Sequence, residues 1–582
     1  MIQDVYNPIE KFRSEFRDKF KQVAEKTFND LLKHSKVDVE ANKIIVNKIR
    51  FSEQVISELE SRISKLTLLQ VILWTVAIVC AIAGIYCYAE ALFKHIPMFV
   101  GVLALALFIL FCAVNPKKAE LKQDLEKENE SVEKNKNIAW EQMRPLNRLF
   151  DWDVTVRMIS KTVPRIHFDP FFTKGRLHEL YRQFGWDNSF NRERSVLFAH
   201  SGEINGNPFI LGRTMSMQWG EKIYRGTRRI SFWVHNGKHS YRRTQTLEAE
   251  VVKPYPEYII ETFLVYGCDA APNLVFHRSC SGLANKENSF WGKWNKNAER
   301  KKLEKFSRNL EDESQYTMMA NRDFETLFNT MDRNNEVEFR LLFTPIAQTQ
   351  MLEIMRNKVD GYGDDFSFNK LNKINFLEAV HLDNIELDNN PDRYKSYSVE
   401  ASRLEFMRYN QEYFRAIYFA FAPLLAVPLY QQTRTHEKIY GIRENCHSSF
   451  WEHEALANFY GDRKFQHPEC VTHSILKTEE NRYSSERAQI EVTAYGYKAV
   501  DRVDSVLVRG GDGRMHRVDV HWDEYLPVSQ TSCMRVEEDM AGFESREMDA
   551  IERADYISRK EGSFYNGVYR RSMLSRLDFQ NS

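Results

Sequence analysis

Two long uncharged apolar runs dominate the pattern of hydrophobic and polar positions along the chain. The first covers Thr67–Tyr88 and the second covers Pro97–Val114, and neither contains Asp, Glu, Lys, Arg or His. As helices, these runs would extend about 33 and about 27 Å, which matches the thickness of a bilayer core. The pattern therefore predicts a transmembrane helical hairpin at residues 67–114, and two adjacent runs of this length disfavour a helical pair buried in a soluble core.

Helical periodicity continues on both sides of this hairpin. In residues 1–66, Asn7 and Pro8 form a helix-start pattern. An apolar stripe follows at three- and four-residue steps, at Ile9, Phe12, Phe16, Phe20 and Val23. We predict an amphipathic or coiled helical arm at 1–66 and a charged helical stalk at 115–150, with the incoming and outgoing helices paired. Because acids and bases are mixed in this region, we favour this pairing over a helix that binds a partner or the membrane surface.

Beyond residue 150 the pattern changes toward the alternation that is typical of strands. Asn236-Gly237 and the segment Gly510–Gly513 each separate two alternating runs, which predicts two β-hairpins. Alternation also predicts a strand in "EVEFRLLF" (336–343), and Pro345 predicts the start of a helix directly after it.

The predicted fold class is therefore a membrane-anchored α+β protein with a cytoplasmic body in two lobes. We assign a mixed α+β domain to residues 151–432 and a β-rich C-terminal domain to 433–582, with a boundary near 433–450. The apolar stretch 416–430 contains two prolines and is too short for a span, so we interpret it as a buried core segment.

The distribution of charge predicts the orientation of the chain. The 81 Lys and Arg residues equal the 81 Asp and Glu residues, so no global field indicates nucleic-acid binding. Four Lys or Arg residues precede the first span within 47–66, six follow the second within 115–136, and the connecting loop has only Lys94. The positive-inside rule then predicts a two-span protein of the cell membrane with both termini in the cytoplasm. Eight scattered cysteines fit this reducing compartment.

One stretch of the body resembles a known family. The segment "RDFETLFNTMDRNNEVEFRLLFTPIAQTQMLEIM" (322–355), with its break at Phe343-Thr344-Pro345, follows the charged helical arm and the apolar hairpin. This arrangement, together with "INGNPF" (204–209), resembles an uncharacterised family of bacterial two-span membrane proteins whose large soluble C-terminal body has no known function. The resemblance implies the fold and topology described above, and it implies no catalytic residues.

A cluster of cysteines and histidines is the best candidate for a chemical site. The segment from Cys446 to His473 contains six such residues, and the spacing His467-x2-Cys470-x2-His473 is compatible with metal ligands. The candidate ligands are Cys446, His467, Cys470 and His473, and zinc is the metal that they would suit best. Against this interpretation, the segment lacks paired zinc-finger motifs, and "WEHEALANFYG" within it predicts an amphipathic helix. We expect no other cofactor.

A basic patch lies on the first predicted β-hairpin. Residues 213–243 contain eight Lys or Arg residues and one acid, Glu221. The core of the patch consists of Arg225, Arg228, Arg229, Arg242 and Arg243, which could bind anionic lipid headgroups or a partner. Nucleic acid is the less favoured ligand. Because the net charge of the chain is zero, we favour slightly the other interpretation, in which the charges of the hairpin are balanced by the chain's own acid-rich segment. That segment contains Glu537, Glu538, Asp539, Glu544, Glu547, Asp549 and Glu552.

The sequence favours a non-enzymatic function. The pair of acids in "GYGDDF" (361–366) is interpreted as a turn that enters a strand, not as a catalytic pair. Our first hypothesis is an integral membrane protein that anchors a cytoplasmic scaffold or interaction domain and contacts the bilayer, a protein partner or a second copy. The alternatives are a membrane-tethered metal-dependent enzyme that uses the segment 446–473, and an oligomeric channel built from the hairpin.

Overall fold

The computed structural model describes residues 6–89, 96–237, 239–280, 319–330, 332–433, 446–482, 487–539, 552, 556 and 568–578. Within these residues the fold is a mixture of helices and antiparallel sheets, as the sequence predicts. The chain forms two compact units. The first, which we call the sheet unit, comprises residues 1–26, 151–390 and 409–582, and the second, the helical unit, comprises residues 27–150 and 391–408.

The helices have the following bounds. They are α1 (Pro8–Lys11), α2 (Arg17–Ser35), α3 (Val39–Ala89), α4 (Ile96–Ile109), α5 (Asn115–Asn147), α6 (Val154–Thr162), α7 (Lys174–Phe184), α8 (Arg322–Phe328), α9 (Glu336–Leu342), α10 (Pro345–Arg356), α11 (Val380–Asp383), α12 (Val399–Leu425), α13 (Pro428–Gln432) and α14 (Phe450–Tyr460). Two π-helical turns, Phe12–Phe16 and Leu110–Val114, continue α1 into α2 and α4 into α5. Short 3-10 helices cover Asn188–Asn191, Pro391–Tyr394 and Asp462–Lys464.

Twelve strands lie in two antiparallel sheets within the described residues. They are β1 (Ile166–Phe168), β2 (Arg194–Ile204), β3 (Asn207–Asn236), β4 (His239–Gly267), β5 (Val275–Arg278), β6 (Phe366–Leu371), β7 (Ile374–Ala379), β8 (Ile475–Arg482), β9 (Arg487–Arg509), β10 (Met515–Glu538), β11 (Val568–Arg570) and β12 (Met573–Asp578). The first sheet has the order β1-β2-β3-β4-β7-β6-β5 and the second has the order β11-β12-β10-β9-β8.

In the helical unit, α3 and α5 pack against each other. Ile49 on α3 and Val132 and Ala139 on α5 form a buried apolar cluster. Lys136 Nζ lies 2.7 Å from Glu53 Oε1 across the same pair of helices. The predicted pairing of the helices that lead into and out of the apolar hairpin is therefore confirmed.

Two asparagines hold the segment 396–399 against these helices. The side chain of Asn42 donates to the carbonyl of Tyr397 at 2.9 Å and accepts from the amide of Val399 at 3.1 Å. Asn147 makes the equivalent pair of hydrogen bonds to both backbone groups of Ser396. Because each amide side chain satisfies one backbone donor and one backbone acceptor, the segment is bound without forming a regular element.

Replacing Asn42 by Ala is expected to destabilise the helical unit by about 1–3 kcal/mol, because two backbone groups lose their partners in a buried site. Thermal unfolding of the detergent-solubilised protein measures the effect. Asn47→Ala is the matched control, since Asn47 is exposed on the same helix. Equal midpoints for the two variants would contradict the proposed role of Asn42.

The apolar stripe of the N-terminal helices is buried within the sheet unit. Asn7 caps α1 by accepting from the amide of Glu10, as predicted. Phe20 stacks on Phe414 of α12 with ring centroids 4.2 Å apart, and Phe16 contacts Tyr418 edge-on at 5.8 Å. The predicted stripe is thus confirmed. It packs on Phe414 and on the apolar stretch 416–430 that follows it. That stretch is a buried core segment, as expected.

Helix α14 contributes to the cores of both sheets. Trp451 and Ala455 pack with residues of the first sheet, including Phe263. Leu456 and Ala457 pack with residues of the second sheet, including Ile490. The boundary predicted at 433–450 lies mostly on residues 434–445, outside the described residues, and the division into two lobes stays a prediction.

One predicted strand is wrong. The segment 336–343 forms helix α9 rather than a strand. The side chain of Asn335 accepts from the amide of Glu338, and Glu336 and Glu338 occupy the first turn, where the helix dipole favours acids. Phe339 and Leu342 are buried at a three-residue step, so the apolar residues follow a helical period. The predicted helix that starts at Pro345 is confirmed as α10.

Two long β-hairpins extend from the sheets and pack face to face. The first hairpin is β3–β4 and the second is β9–β10, and both predicted turns are confirmed. Residues 217–236 and 239–258 pair only with each other among the described strands, which gives a ribbon about 65 Å long. Ile230 and Leu247 of the first hairpin pack on Val518 and Val520 of the second.

The two hairpins approach each other closely at Gly226. A Cβ atom at this position would lie 2.3 Å from the backbone oxygen of Asp519. Only glycine leaves room for the second hairpin here.

Candidate functional site

Two helices of the helical unit are long and apolar enough to cross a membrane. The candidate spans are Val39–Tyr88 and Ile96–Asn147, and only 6% and 11% of their apolar windows are buried. Exposed side chains on these helices include Val71, Trp74, Ile78, Ile82, Ile85, Val100, Leu105, Phe108 and Phe111. The core helix of a soluble protein would be mostly buried, whereas most of the apolar surface of these two helices is exposed. The connecting residues 90–95, including Lys94, lie outside the described residues.

The two apolar helices contact each other along a narrow seam. Ala77, Ala106 and Leu110 are buried there. Near the charged end of the seam, the side-chain oxygen of Gln70 accepts from Lys118 Nζ at 2.7 Å. The amide nitrogen of Gln70 donates to Asn115 Oδ1 at 3.4 Å. These polar contacts fix the register of the two helices where the apolar runs end.

The four candidate zinc ligands do not converge. Cys446 is half-buried. The ring of His467 accepts from the amide of Glu469, and Cys470 Sγ lies 3.4 Å from the carbonyl oxygen of Thr472. The exposed His473 lies 3.1 Å from a carboxylate oxygen of Asp462. Among the described residues, no group of three or more His, Cys, Asp or Glu side chains could hold a metal ion. The geometry therefore lends no support to the zinc site, which stays a prediction from the sequence.

We expect the purified full-length protein to contain no stoichiometric zinc, because its candidate ligands are directed to other partners. Elemental analysis after dialysis against a weak chelator measures the metal content. The Cys470→Ala variant serves as the control, and its metal content is expected to equal that of the wild type. One zinc per chain that is lost in Cys470→Ala would contradict the described geometry.

The remaining histidines of the same segment belong to a buried polar network at the start of α14. His453 Nε2 lies 2.9 Å from Ser448 Oγ, and the same hydroxyl donates to Glu538 at 2.6 Å. His447 Nδ1 lies 2.7 Å from the other oxygen of Glu538. A serine and a histidine at this distance could act as nucleophile and base. Both side chains have no exposed surface, however, so a substrate has no route to them.

Glu454, a buried acid of α14, lines a cavity of about 330 Å³ that opens to solvent. Burial raises the pKa of Glu454, and the nearby Lys477 opposes this shift. Lys477 Nζ lies 2.7 Å from Glu454 and also donates to the carbonyls of Asn191 and Arg194. Since all three ammonium protons are used, Lys477 has no donor left for a ligand. The sequence gives no signal for this pair, because its members lie 23 residues apart on a helix and a strand.

The five arginines of the predicted basic patch are divided between two faces of the first hairpin. Arg225, Arg229 and Arg242 share one face by alternation and register. Arg228 and Arg243 lie on the opposite face, which also carries Ile230 and Leu247.

Two of these arginines have partners on the hairpins. Arg225 pairs with Glu250 at 2.8 Å, and Arg228 donates to the carbonyl of Arg517 at 2.6 Å. Arg229, Arg242 and Arg243 form no ion pair with any described residue.

The described part of the acid-rich segment does not dock on this patch. Glu538 binds Ser448 and His447, and Glu537 lies 3.5 Å from Arg487. Asp539 accepts from the hydroxyl of Tyr556. The predicted docking between the two segments is therefore wrong for Glu537, Glu538 and Asp539.

The two acids of "GYGDDF" have structural roles. Asp364 forms an ion pair with Arg278, and neither side chain has any exposed surface. Asp365 lies 2.5 Å from Nδ1 of His381, whose Nε2 lies 3.0 Å from the carbonyl of Ala416. Both ring nitrogens of His381 thus face oxygen atoms of neighbouring residues. The segment precedes β6, so its interpretation as a turn that enters a strand is confirmed.

Comparisons with known proteins complete this description. No protein-family model, no curated protein and no solved structure matches this chain.

Proposed function

We propose that this protein is an integral membrane protein that anchors a large cytoplasmic interaction domain and acts as a scaffold rather than as an enzyme. The observation that carries the proposal is the exposure of two apolar helices, of whose apolar windows only 6% and 11% are buried. Soluble monomers rarely expose contiguous apolar surfaces of this extent, whereas lipid tails supply the missing contacts.

The composition of the spans supports an anchor rather than a pathway for ions or solutes. The runs 67–88 and 97–114 contain no ionisable group other than Cys and Tyr side chains. Transport and proton relay normally require acids, bases or histidines within the membrane. The four Lys or Arg residues at 47–66 and the six at 115–136, against the single Lys94 between the spans, support an orientation with both termini in the cytoplasm.

The sheet unit supports the role in binding a partner. Its two long hairpins expose Trp219, Ile223, Val252 and Leu507, and the described residues contain no group of three or more His, Cys, Asp or Glu side chains that could hold a metal ion. Exposed aromatic and aliphatic groups beside arginines are typical of surfaces that bind a protein or a second copy of the same chain. Membership in the family of two-span membrane proteins is part of this proposal.

Two measurements in cells test the anchor and its orientation. After lysis without detergent, the chain is expected to sediment with membranes and to stay there in alkaline carbonate. A membrane-impermeant thiol reagent applied to intact cells is expected to label Lys94→Cys but not Lys134→Cys, and the wild type is the background control for the native cysteines. Recovery of the chain in the supernatant, or labelling of position 134 alone, would overturn the proposal.

The role as a scaffold requires its own experiment. Crosslinking in intact cells, followed by purification of the full-length chain, is expected to yield one reproducible protein partner or a homodimer. A chain that is always recovered without any crosslinked protein would contradict the proposed scaffold.

A further inference from the structure

The end of the first hairpin differs in chemistry from the rest of the sheet unit. We call residues 228–247 the tip, and they contain five Lys or Arg residues and no Asp or Glu. Side chains on the tip include Trp233, which is 66% exposed, and Tyr241, which is 51% exposed. Trp233 pairs across the strands with Arg242, so an aromatic ring and a guanidinium lie side by side on one face.

The tip extends past the second hairpin. The turn of the second hairpin contacts the first at Gln245, whose side-chain oxygen accepts from the amide of Gly511 at 2.8 Å. Among the described residues, 233–237 and 239–242 lie nearer the turn of the first hairpin than this contact. Asp512, within the turn of the second hairpin, is already bound to His516 at 3.0 Å. Asp519 of β10 interacts electrostatically with Arg228, whereas Arg229, Arg242 and Arg243 form no ion pair with any described residue.

We propose that the tip of the first hairpin docks on the anionic surface of a lipid bilayer, with Trp233 and Tyr241 at the level of the headgroups and Arg229, Arg242 and Arg243 bound to lipid phosphates. This inference rests on the proposed membrane anchor, because two spans would keep the sheet unit close to a bilayer at high effective concentration. It adds a second point of attachment that the anchor does not require.

Three features of the tip favour lipid over another anionic ligand. Tryptophan and tyrosine are the side chains that most favour the interface between water and lipid. Each arginine near an anionic leaflet contributes about a fivefold gain in partitioning. The arginines are also divided between two faces, with Arg229 and Arg242 on one and Arg243 on the other. A hairpin that enters headgroups end-on uses both faces, whereas a flat protein or nucleic-acid surface would contact one.

Fluorescence quenching by brominated lipids tests this proposal on the full-length chain in vesicles. The signal of Trp233 is obtained by subtracting the spectrum of Trp233→Phe from that of the wild type. We expect brominated acyl chains to quench at least half of this signal in vesicles of phosphatidylcholine with phosphatidylglycerol. In pure phosphatidylcholine the signal is expected to change little. The double variant Arg242→Gln/Arg243→Gln is expected to bind the anionic vesicles about 25-fold more weakly, and its Trp233 signal is expected to lose the quenching at the same lipid concentration.

Two further tryptophans provide the controls. Trp219 is 52% exposed on β3 outside the tip. Its fluorescence, obtained by the same subtraction, is expected not to be quenched by brominated lipids. Trp74 lies in the first apolar run, and its quenching in every vesicle reports insertion of the spans. If Trp74 is quenched and Trp233 is not, the docking of the tip is overturned while the anchor stands. A Trp233 signal that responds to single-stranded DNA but not to anionic vesicles would also overturn the proposal.

Discussion

Replacing Phe20 by Ala is expected to release the N-terminal helix from the sheet unit. Phe20 has no exposed surface, and its ring stacks on Phe414 at a centroid distance of 4.2 Å. Removing a buried phenylalanine costs about 3–5 kcal/mol, which includes the transfer free energy of the ring and the cavity that it leaves. The population of the undocked helix should therefore rise by about two to four orders of magnitude.

Hydrogen exchange measured by mass spectrometry detects this release. Backbone amides of residues 17–26 are expected to lose protection by the same factor, while amides of β9 and β10 keep theirs. Lys21→Ala is the matched control, because Lys21 is exposed on the same helix and alanine favours helix formation. Unchanged protection in Phe20→Ala would show that the aromatic contacts with α12 do not hold the helix.

The second large effect is expected at the buried ion pair of Asp364 and Arg278. Neither side chain has exposed surface, and Arg278 lies over the ring of Phe366 at 4.4 Å. Asp364→Ala leaves the guanidinium in an apolar site without its carboxylate, which costs about 3–5 kcal/mol. Chemical denaturation of the detergent-solubilised protein, monitored by circular dichroism, measures the loss.

A double variant separates the charge from the packing. In Arg278→Met/Asp364→Leu both charges are replaced by apolar groups of similar length, and most of the lost stability is expected to return. If the double variant were as unstable as Asp364→Ala, the loss would arise from the turn around Asp364 and not from the unpaired guanidinium.

The local patterns of the chain predicted much of the fold. The apolar helices, the capped first helix and both hairpin turns depend on residues that are close in sequence, such as Asn7 with Glu10 and Asn236 with Gly237. The segment 336–343 misled the prediction because its apolar residues fit both periods, and the cap supplied by Asn335 decided for the helix.

Long-range packing could not be predicted in the same way. Nothing near Phe20 indicates that Phe414 covers it, since any apolar surface would satisfy the stripe. The candidate zinc ligands show the same limit for a site. Cys470 and His473 are close in the chain, but the turn between them directs one side chain to Thr472 and the other to Asp462. Spacing constrains the distance along the backbone and leaves the direction of each side chain open.

The contact between the N-terminal helix and α12 also has a consequence for biosynthesis. The ribosome must add about 400 residues after Phe20 before its aromatic partner exists, which takes roughly 20–80 s at the usual rates of translation. During that interval the rings of Phe12, Phe16 and Phe20 lack their aromatic partners on α12, while the two apolar spans are already complete. We therefore expect nascent chains that end before Phe414 to require a chaperone at their first helix, and chains that extend well beyond it to release the chaperone.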